Sequence, residues 1–401
     1  MSQKVPEGWG SGQFDAFITL QRGFDLPVQN RIPGDYLVIA SNGAVGTHSD
    51  RRIPGPAVVT GRSGTIGNVF IEPEGCWPLN TTLYVKDFHG NDPEYVYWFL
   101  RHFDLSRFST GTGVPTLNRN IVHRESIVFP PLSEQRRIAE ILSSVDEAIA
   151  ATKAVIEQTR TLKQGVMKRV LTKGIGHSRF KKTELGEIPE TWRIVQISEI
   201  VSPEGILTGP FGTTLSESDF VDSGVPVLRI GNVRESHIDT EKLLYVSLEK
   251  AKTLTRYCVR ANDILFARQG ATTGRNCLTS QEHSGWLINY HIIRLRIDPS
   301  VVDPRYVYNC LNSPLVKAQV SANKEKGNRD GINCGQIAAF RIPLPPIQEA
   351  GEISDVLHSF LTIDQEYYKQ MHQLLAVKHT LMSDLLTGRK RVTADALSSA
   401  L

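Results

Sequence analysis

The chain has 401 residues, 40% hydrophobic and 22% charged, and its 45 basic and 42 acidic side chains leave a formal charge of +3. That length carries about two domains whose cores need no metal or disulfide staple, and so mild a charge excludes a histone-like or polybasic membrane partner but not a local basic surface. Five widely spaced cysteines with no C-x-x-C pair signal neither a disulfide framework nor a zinc site. The start lacks the pattern of a signal peptide and no run of about 18 apolar residues occurs, so the expected location is the cytoplasm.

In chain order, residues 1–132 are dense in Gly, Pro and short apolar runs such as Tyr36-Leu37-Val38-Ile39 and Ala57-Val58-Val59, which predict short strands between turns. A helix is predicted from Tyr95 to Phe103, and the part as a whole is mixed α/β. Residues 133–175 are different in kind. From Ser133 to Leu171 there is no proline and no glycine but Gly165, and Ile138, Leu142, Val145, Ile149, Thr152, Ile156, Thr159, Lys163, Val166 and Val170 recur at spacings of four and three. This is the seam of a long helix, roughly 58 Å for those residues at 1.5 Å each. Residues 176–187 form a basic linker, inside a stretch from Gln158 to Thr183 that has eight basic residues and no acidic one. Such a run is usually a solvated face; contact with a nucleic-acid backbone or a protein is the second reading.

Residues 188–346 return to the first texture, with strands predicted at Val225-Pro226-Val227-Leu228 and Ile264-Leu265-Phe266 and a helix from Tyr306 to Leu311. Residues 347–387 form a second long helix, and 388–401 a tail. The second half repeats the first. Pro6-Glu7-Gly8-Trp9 matches Pro189-Glu190-Thr191-Trp192, Gly61-Arg62-Ser63-Gly64 matches Ala267-Arg268-Gln269-Gly270, and Asn80 matches Asn289. Asp92-Pro93-Glu94-Tyr95-Val96-Tyr97 matches Asp303-Pro304-Arg305-Tyr306-Val307-Tyr308, and Pro130-Pro131-Leu132-Ser133-Glu134 matches Pro345-Pro346-Ile347-Gln348-Glu349. Matches in this order mark a tandem duplication.

The second seam, offset by 215 positions throughout, is Ile353, Leu357, Phe360, Asp364, Tyr367, Met371, Leu374, Lys378, Leu381 and Leu385. Glu134 and Glu349 stand in the first turns, where a carboxylate complements the helix dipole. Each helix could pack on its own globular part, but the shared register favours pairing of the two helices with each other, polar seam members restricting the register.

Catalytic motifs are missing: no phosphate-binding G-x-x-x-x-G-K-[ST] loop, no H-E-x-x-H, no nucleophile elbow and no Asn-Pro-Pro-aromatic tetrapeptide. Lone histidines such as His123 and His291 read as structural. The chain is therefore expected to be non-catalytic, with no bound cofactor or metal. Candidate DNA contacts are Arg62, Ser63, Thr65, Arg268, Gln269 and Thr272, in glycine-rich turns after apolar strands, where backbone can approach a ligand and arginine can meet phosphate or guanine. An arginine salt-bridged within its own domain is the equal alternative. The loop Thr110-Gly111-Thr112-Gly113 and its counterpart Asn323–Arg329 lie at matching places. Lys324, Lys326 and Arg329 in the latter are candidate phosphate contacts or a solvated surface.

These residues carry a likeness. The Pro130–Ala139 opening of a long helix, its partner Pro345–Glu349, and Leu185-Gly186-Glu187-Ile188-Pro189-Glu190-Thr191-Trp192 resemble the specificity subunit of Type I restriction-modification systems over nearly the whole chain. Arg22-Gly23-Phe24-Asp25-Leu26-Pro27 and Gly61–Gly67 are similar to elements of one class of its target-recognition domains. Ala350-Gly351 departs from the first copy's Gln135-Arg136. The resemblance implies two tandem α/β target-recognition domains, separated by two long helices pairing as an antiparallel coiled coil with pseudo-twofold symmetry. Each domain would read one half of a bipartite site in double-stranded DNA. A rod of roughly 58 Å exceeds one DNA turn of about 34 Å, which suits unread bases between the halves. It further implies two methyltransferase subunits and, through them, two restriction subunits, which use S-adenosylmethionine, ATP and Mg. The competing reading is a duplicated coiled-coil adaptor that joins proteins without touching DNA.

Overall fold

The computed structural model describes residues 5–110, 114–235, 237–325 and 331–392. It divides into two compact units: residues 1–154 with 369–401, and residues 155–368. Each unit therefore holds one globular part and a segment of each long helix.

In the first unit a four-stranded antiparallel sheet runs Thr19–Arg22, Thr82–Asp87, Ala57–Gly61, Val69–Glu72. A second sheet runs Gly43–His48, Tyr36–Ala40, Gly75–Pro78, Ile53–Pro54, its middle pair parallel. In the second unit the antiparallel sheet is Val201–Thr208, Ile292–Ile297, Ile264–Ala267, Asn276–Leu278. Its companion is Phe220–Val221, Leu244–Val246, Val225–Leu228, Leu287–Ile288, with the last pair parallel. The strand order of the antiparallel sheet is the same in both units, so the repeat seen in the residues is a repeat of topology.

Two of these strands are buried throughout for a physical reason. Ala57–Gly61 sends Val58 into one core and Ala57 and Val59 into another, and Ile264–Ala267 divides Ile264 and Phe266 from Leu265 and Ala267 in the same way. A strand covered on both faces loses the alternation of a half-exposed one.

The repeated Asp-Pro starts α1 (Pro93–His102) and α3 (Pro304–Asn312). Proline's fixed φ suits the first turn, and the aspartate ahead of it accepts an orphan N–H, Asp92 from Tyr95 at 3.0 Å and Asp303 from Arg305 at 2.8 Å. The helix numbered between them, α2 (Leu132–Lys173), and the last, α4 (Ile347–Leu385), each begin directly after a Pro-Pro pair.

Within the first unit, Ile138, Ala139 and Leu142 of α2 share a core with Phe14, Tyr95 and Phe129 and with Leu381, Met382 and Leu385 of α4. Lys378 forms an ion pair with Asp146 and lies 4.9 Å from the Trp98 ring. Within the second unit, Val166, Met167, Val170 and Leu171 share a core with Ala350, Ile353, Leu357 and Leu361. The start of α2 meets the end of α4 in the first unit, and the end of α2 meets the start of α4 in the second, so the helices run antiparallel. Packing on the globular part and helix pairing, set against each other by the sequence, both occur.

Ile138, Leu142, Ile149, Ile156, Ile353, Leu357 and Met371 are buried, and Val145, Phe360, Tyr367 and Leu374 are half-buried. Leu162, Leu375 and Val377, off the seam, are exposed. The side chain of Asp364 lies outside the described residues.

One element departs from its expected form. Within the basic linker, Phe180–Thr183 pairs with Gly186–Pro189 as an antiparallel hairpin. Lys173 and Arg179 of the basic run pair with Glu187 and Glu190, at 2.8 and 3.5 Å. The acidic partners of these two lie just beyond the run, where a window ending at Thr183 does not reach, and Arg160 pairs with Glu157 just before it. Among the described residues no helix is long and apolar enough to cross a membrane.

Candidate nucleic-acid interface

Arg62 and Arg268 follow the last residues of the two doubly covered strands, so their backbones are fixed by core packing. Their surroundings correspond bond for bond. The Arg62 N–H donates to the Thr81 carbonyl at 2.9 Å and the Arg268 N–H to His291 at 3.1 Å. The Arg62 Nη1 donates to the Asn80 carbonyl, and the Arg268 Nη1 to that of Tyr290, both at 3.3 Å. Each arginine carbonyl then accepts from a later segment, from Leu117 N–H in one unit and Ile332 N–H in the other, both at 2.8 Å.

These bonds pair Asn80 with Tyr290, a correction of one residue to the match with Asn289 read from the sequence. The identity of two asparagines misleads there: the Asn289 side chain turns back to accept from its own loop, from His291 N–H at 3.2 Å.

The turns that follow are alike. Gly64 and Gly270 have φ of +86° and +70°, which glycine adopts without strain. Ser63 bridges to Thr116 and Gln269 to Gly331. Ser63 is half-buried and Thr65 exposed; Gln269 and Thr272 are half-buried, and the Thr272 hydroxyl donates to the Gln269 carbonyl at 3.3 Å. Burial, with the Arg268 charge beside it, pushes the His291 pKa down, so the neutral ring holds the Gln269 amide oxygen at 2.6 Å through Nδ1.

Neither arginine makes an ion pair among the described residues, which removes the salt-bridged alternative within them. Both are half-buried. Each spends one guanidinium bond on a carbonyl and keeps further donors, in the fork geometry that suits phosphate or a guanine edge.

Thr110, at the edge of the first polar loop, pairs with Thr116 and so stands beside the Arg62 turn. Lys324 lies in the helix Pro314–Glu325, but its side chain, like all of Lys326 and Arg329, is outside the described residues.

Four residues outside the candidate contacts also stand beside the arginines. Asp25 and Asn80 hydrogen-bond to each other in the first unit. Phe211 and Tyr290 pack against each other in the second, tilted by 40° with ring centroids 5.6 Å apart, and Phe211 lies 5.7 Å from the Arg268 guanidinium. Phe211 and Tyr290 carry no local motif, and only the corrected register brings them to the site. Among the described residues no cluster of His, Cys, Asp and Glu is gathered to hold a metal ion.

Two α/β units that share the strand order of their antiparallel sheets, each presenting an equivalently held arginine turn, define an internally duplicated protein. The chain belongs to the Type I restriction modification DNA specificity domain family, whose model matches residues 6–159 and 189–375. It is 27% identical to the Type I restriction enzyme MjaVIII specificity subunit of Methanocaldococcus jannaschii, over 81% of this chain and 77% of that one. With the EcoKI specificity subunit of Escherichia coli (strain K12) it shares 24% identity over 96% of this chain and 88% of that one. In fold it is similar to the crystal structure of the Type I restriction-modification S subunit from M. genitalium, with a TM-score of 0.67 at 15% identity over 96% and 97% of the two chains.

Proposed function

We propose that this chain is the DNA sequence-specificity subunit of a Type I restriction-modification complex and carries no catalysis itself. Each α/β domain reads one half of a bipartite site in double-stranded DNA, while α2 and α4 set the unread spacer and dock two methyltransferase subunits. Two restriction subunits join through the methyltransferases. S-adenosylmethionine, ATP and Mg belong to the chemistry of those partners, not to this chain.

The observation that carries this reading is the pair of arginine turns, the same in backbone bonding and different in the side chains around them. Repeats that met two copies of one partner would have no need of different neighbours at matched positions; repeats that read different half-sites would. An adaptor accounts for the helices but not for this divergence.

The test is to co-produce the chain with its methyltransferase partner in a methylation-free host and map modified adenines across the genome. One motif with two fixed halves and an unread spacer is the expected result. Unmodified DNA in the presence of a stable, active complex overturns the reading and favours the adaptor.

A further inference from the structure

Four pairs of equivalent bonds fix which residues of the two domains stand at the same place. Besides the three at the arginines, the Gly23 N–H donates to Thr82 at 3.1 Å and the Gly209 N–H to Ile292 at 3.3 Å. Both glycines press on the same loop: a Cβ on Gly23 would meet the Leu79 carbonyl oxygen at 2.2 Å, and one on Gly209 the Asn289 carbonyl oxygen at 2.3 Å. Counting two residues on from each glycine sets Asp25 against Phe211, as the arginine bonds set Asn80 against Tyr290.

The two pairs of side chains occupy one place with opposite chemistry. In the first domain Asn80 Nδ2 donates to Asp25 Oδ1, and the Asp25 side chain is 71% exposed. This pair offers further donors and acceptors to a partner. In the second domain the aromatic pair leaves Phe211 54% and Tyr290 40% exposed. An aromatic pair left in water beside an arginine that has no ion pair among the described residues is a poor arrangement for the free protein and a good one for a ligand with flat apolar faces and negative charge. Tyr290 also walls a cleft of about 900 Å³ whose lining sets Arg229, Arg234 and Lys242 against Glu217, Asp239 and Glu241.

Resting on the DNA-specificity reading, we propose that residues 25 and 80, and their equivalents 211 and 290, are a specificity-determining pair that makes the two half-sites different. The first domain reads a base edge at this position through hydrogen bonds. The second reads it through apolar contact of Phe211 and Tyr290 with a thymine methyl or the face of an opened base step, Arg268 holding the adjacent phosphate.

The test uses the complete complex with its methyltransferase partner and duplexes altered one base pair at a time in either half-site. The double variant Phe211→Asp with Tyr290→Asn loses discrimination by about ten- to a hundredfold at one position of the second half, and keeps it in the first half. Phe211→Leu, which preserves the apolar surface, keeps most of it. Discrimination unchanged in both halves, or lost equally in both, overturns the proposal. Failure of the wild-type complex to select any bipartite site overturns instead the reading on which it rests.

Discussion

Trp192 donates its indole N–H to Glu349 at 2.9 Å, tying the chain that enters the second domain to the first turn of the helix that leaves it. Trp9 makes the same bond to Glu134 at 3.1 Å in the first unit. The remaining partners differ: Glu134 takes two bonds of 2.8 Å from Arg391 and one of 3.2 Å from Val392 N–H, while Glu349 meets His177 at 2.8 Å and Ile175 N–H at 3.1 Å. Burial pushes the Glu134 carboxyl up, but Arg391, Val392 and Trp9 outweigh it and hold its pKa below the ordinary value.

Glu134→Ala removes the acceptor from all of these donors. The expected loss is about 1–3 kcal/mol of first-unit stability, since the donors it satisfied are left unpaired while the Arg391 side chain, 28% exposed, keeps access to water. Glu134→Gln, which keeps an acceptor but not the charge, costs less. Denaturant unfolding of the two variants beside the wild type checks the order.

Stability also falls as pH drops below about 6.5, and His123 contributes to that fall. Its Nε2 accepts from Leu20 N–H at 3.0 Å, which requires the neutral ring, and burial lowers its pKa below 6.5. The unfolded state then binds a proton more readily than the native state, so acid favours unfolding as pH drops through 6.5 towards the native pKa. His123→Gln, able to accept without titrating, makes the dependence of Tm on pH shallower. It does not abolish it, because burial also lowers the pKa of His102, His283 and His291. An unchanged slope would contradict this.

The long helices were legible because their seam repeats over many turns, and the Arg62 and Arg268 turns because glycine marks them. The tryptophan clasp was not. Glu134 reads in sequence only as a charge near a helix dipole, since the Trp9 that meets it lies 125 residues away. The Phe211–Tyr290 pair was hidden by Asn289, whose chance likeness to Asn80 shifted the alignment by one. The hairpin from Phe180 to Pro189 was hidden because its strands have four residues each and neither alternates as an apolar strand does, the first holding Lys181 and Lys182 and the second Glu187.

Substitutions in the helices separate the seam from the outer face. Leu142→Ala and Leu357→Ala, at fully buried positions, each cost about 2–5 kcal/mol. Leu375→Ala, 44% exposed, changes stability by less than about 0.5 kcal/mol. Thermal unfolding of the three variants distinguishes them.

Arg62→Ala and Arg268→Ala leave the fold intact, because among the described residues each side chain gives only one hydrogen bond, of 3.3 Å, to its own chain. Each weakens binding of the complex to its DNA site. Loss of a phosphate contact lowers the salt dependence by about one unit of slope; loss of a base contact costs about 1–3 kcal/mol and relaxes one position. Affinity measured across salt concentrations, on sites altered in either half, tells the two roles apart.

The central claim is that two domains read two half-sites independently. Its most direct test is to replace residues 1–132 with the matching segment of another family member and map methylated adenines in the same host. The account predicts a motif with one half new, the other half unchanged and the spacer length preserved. A motif changed in both halves, or in neither, would contradict it.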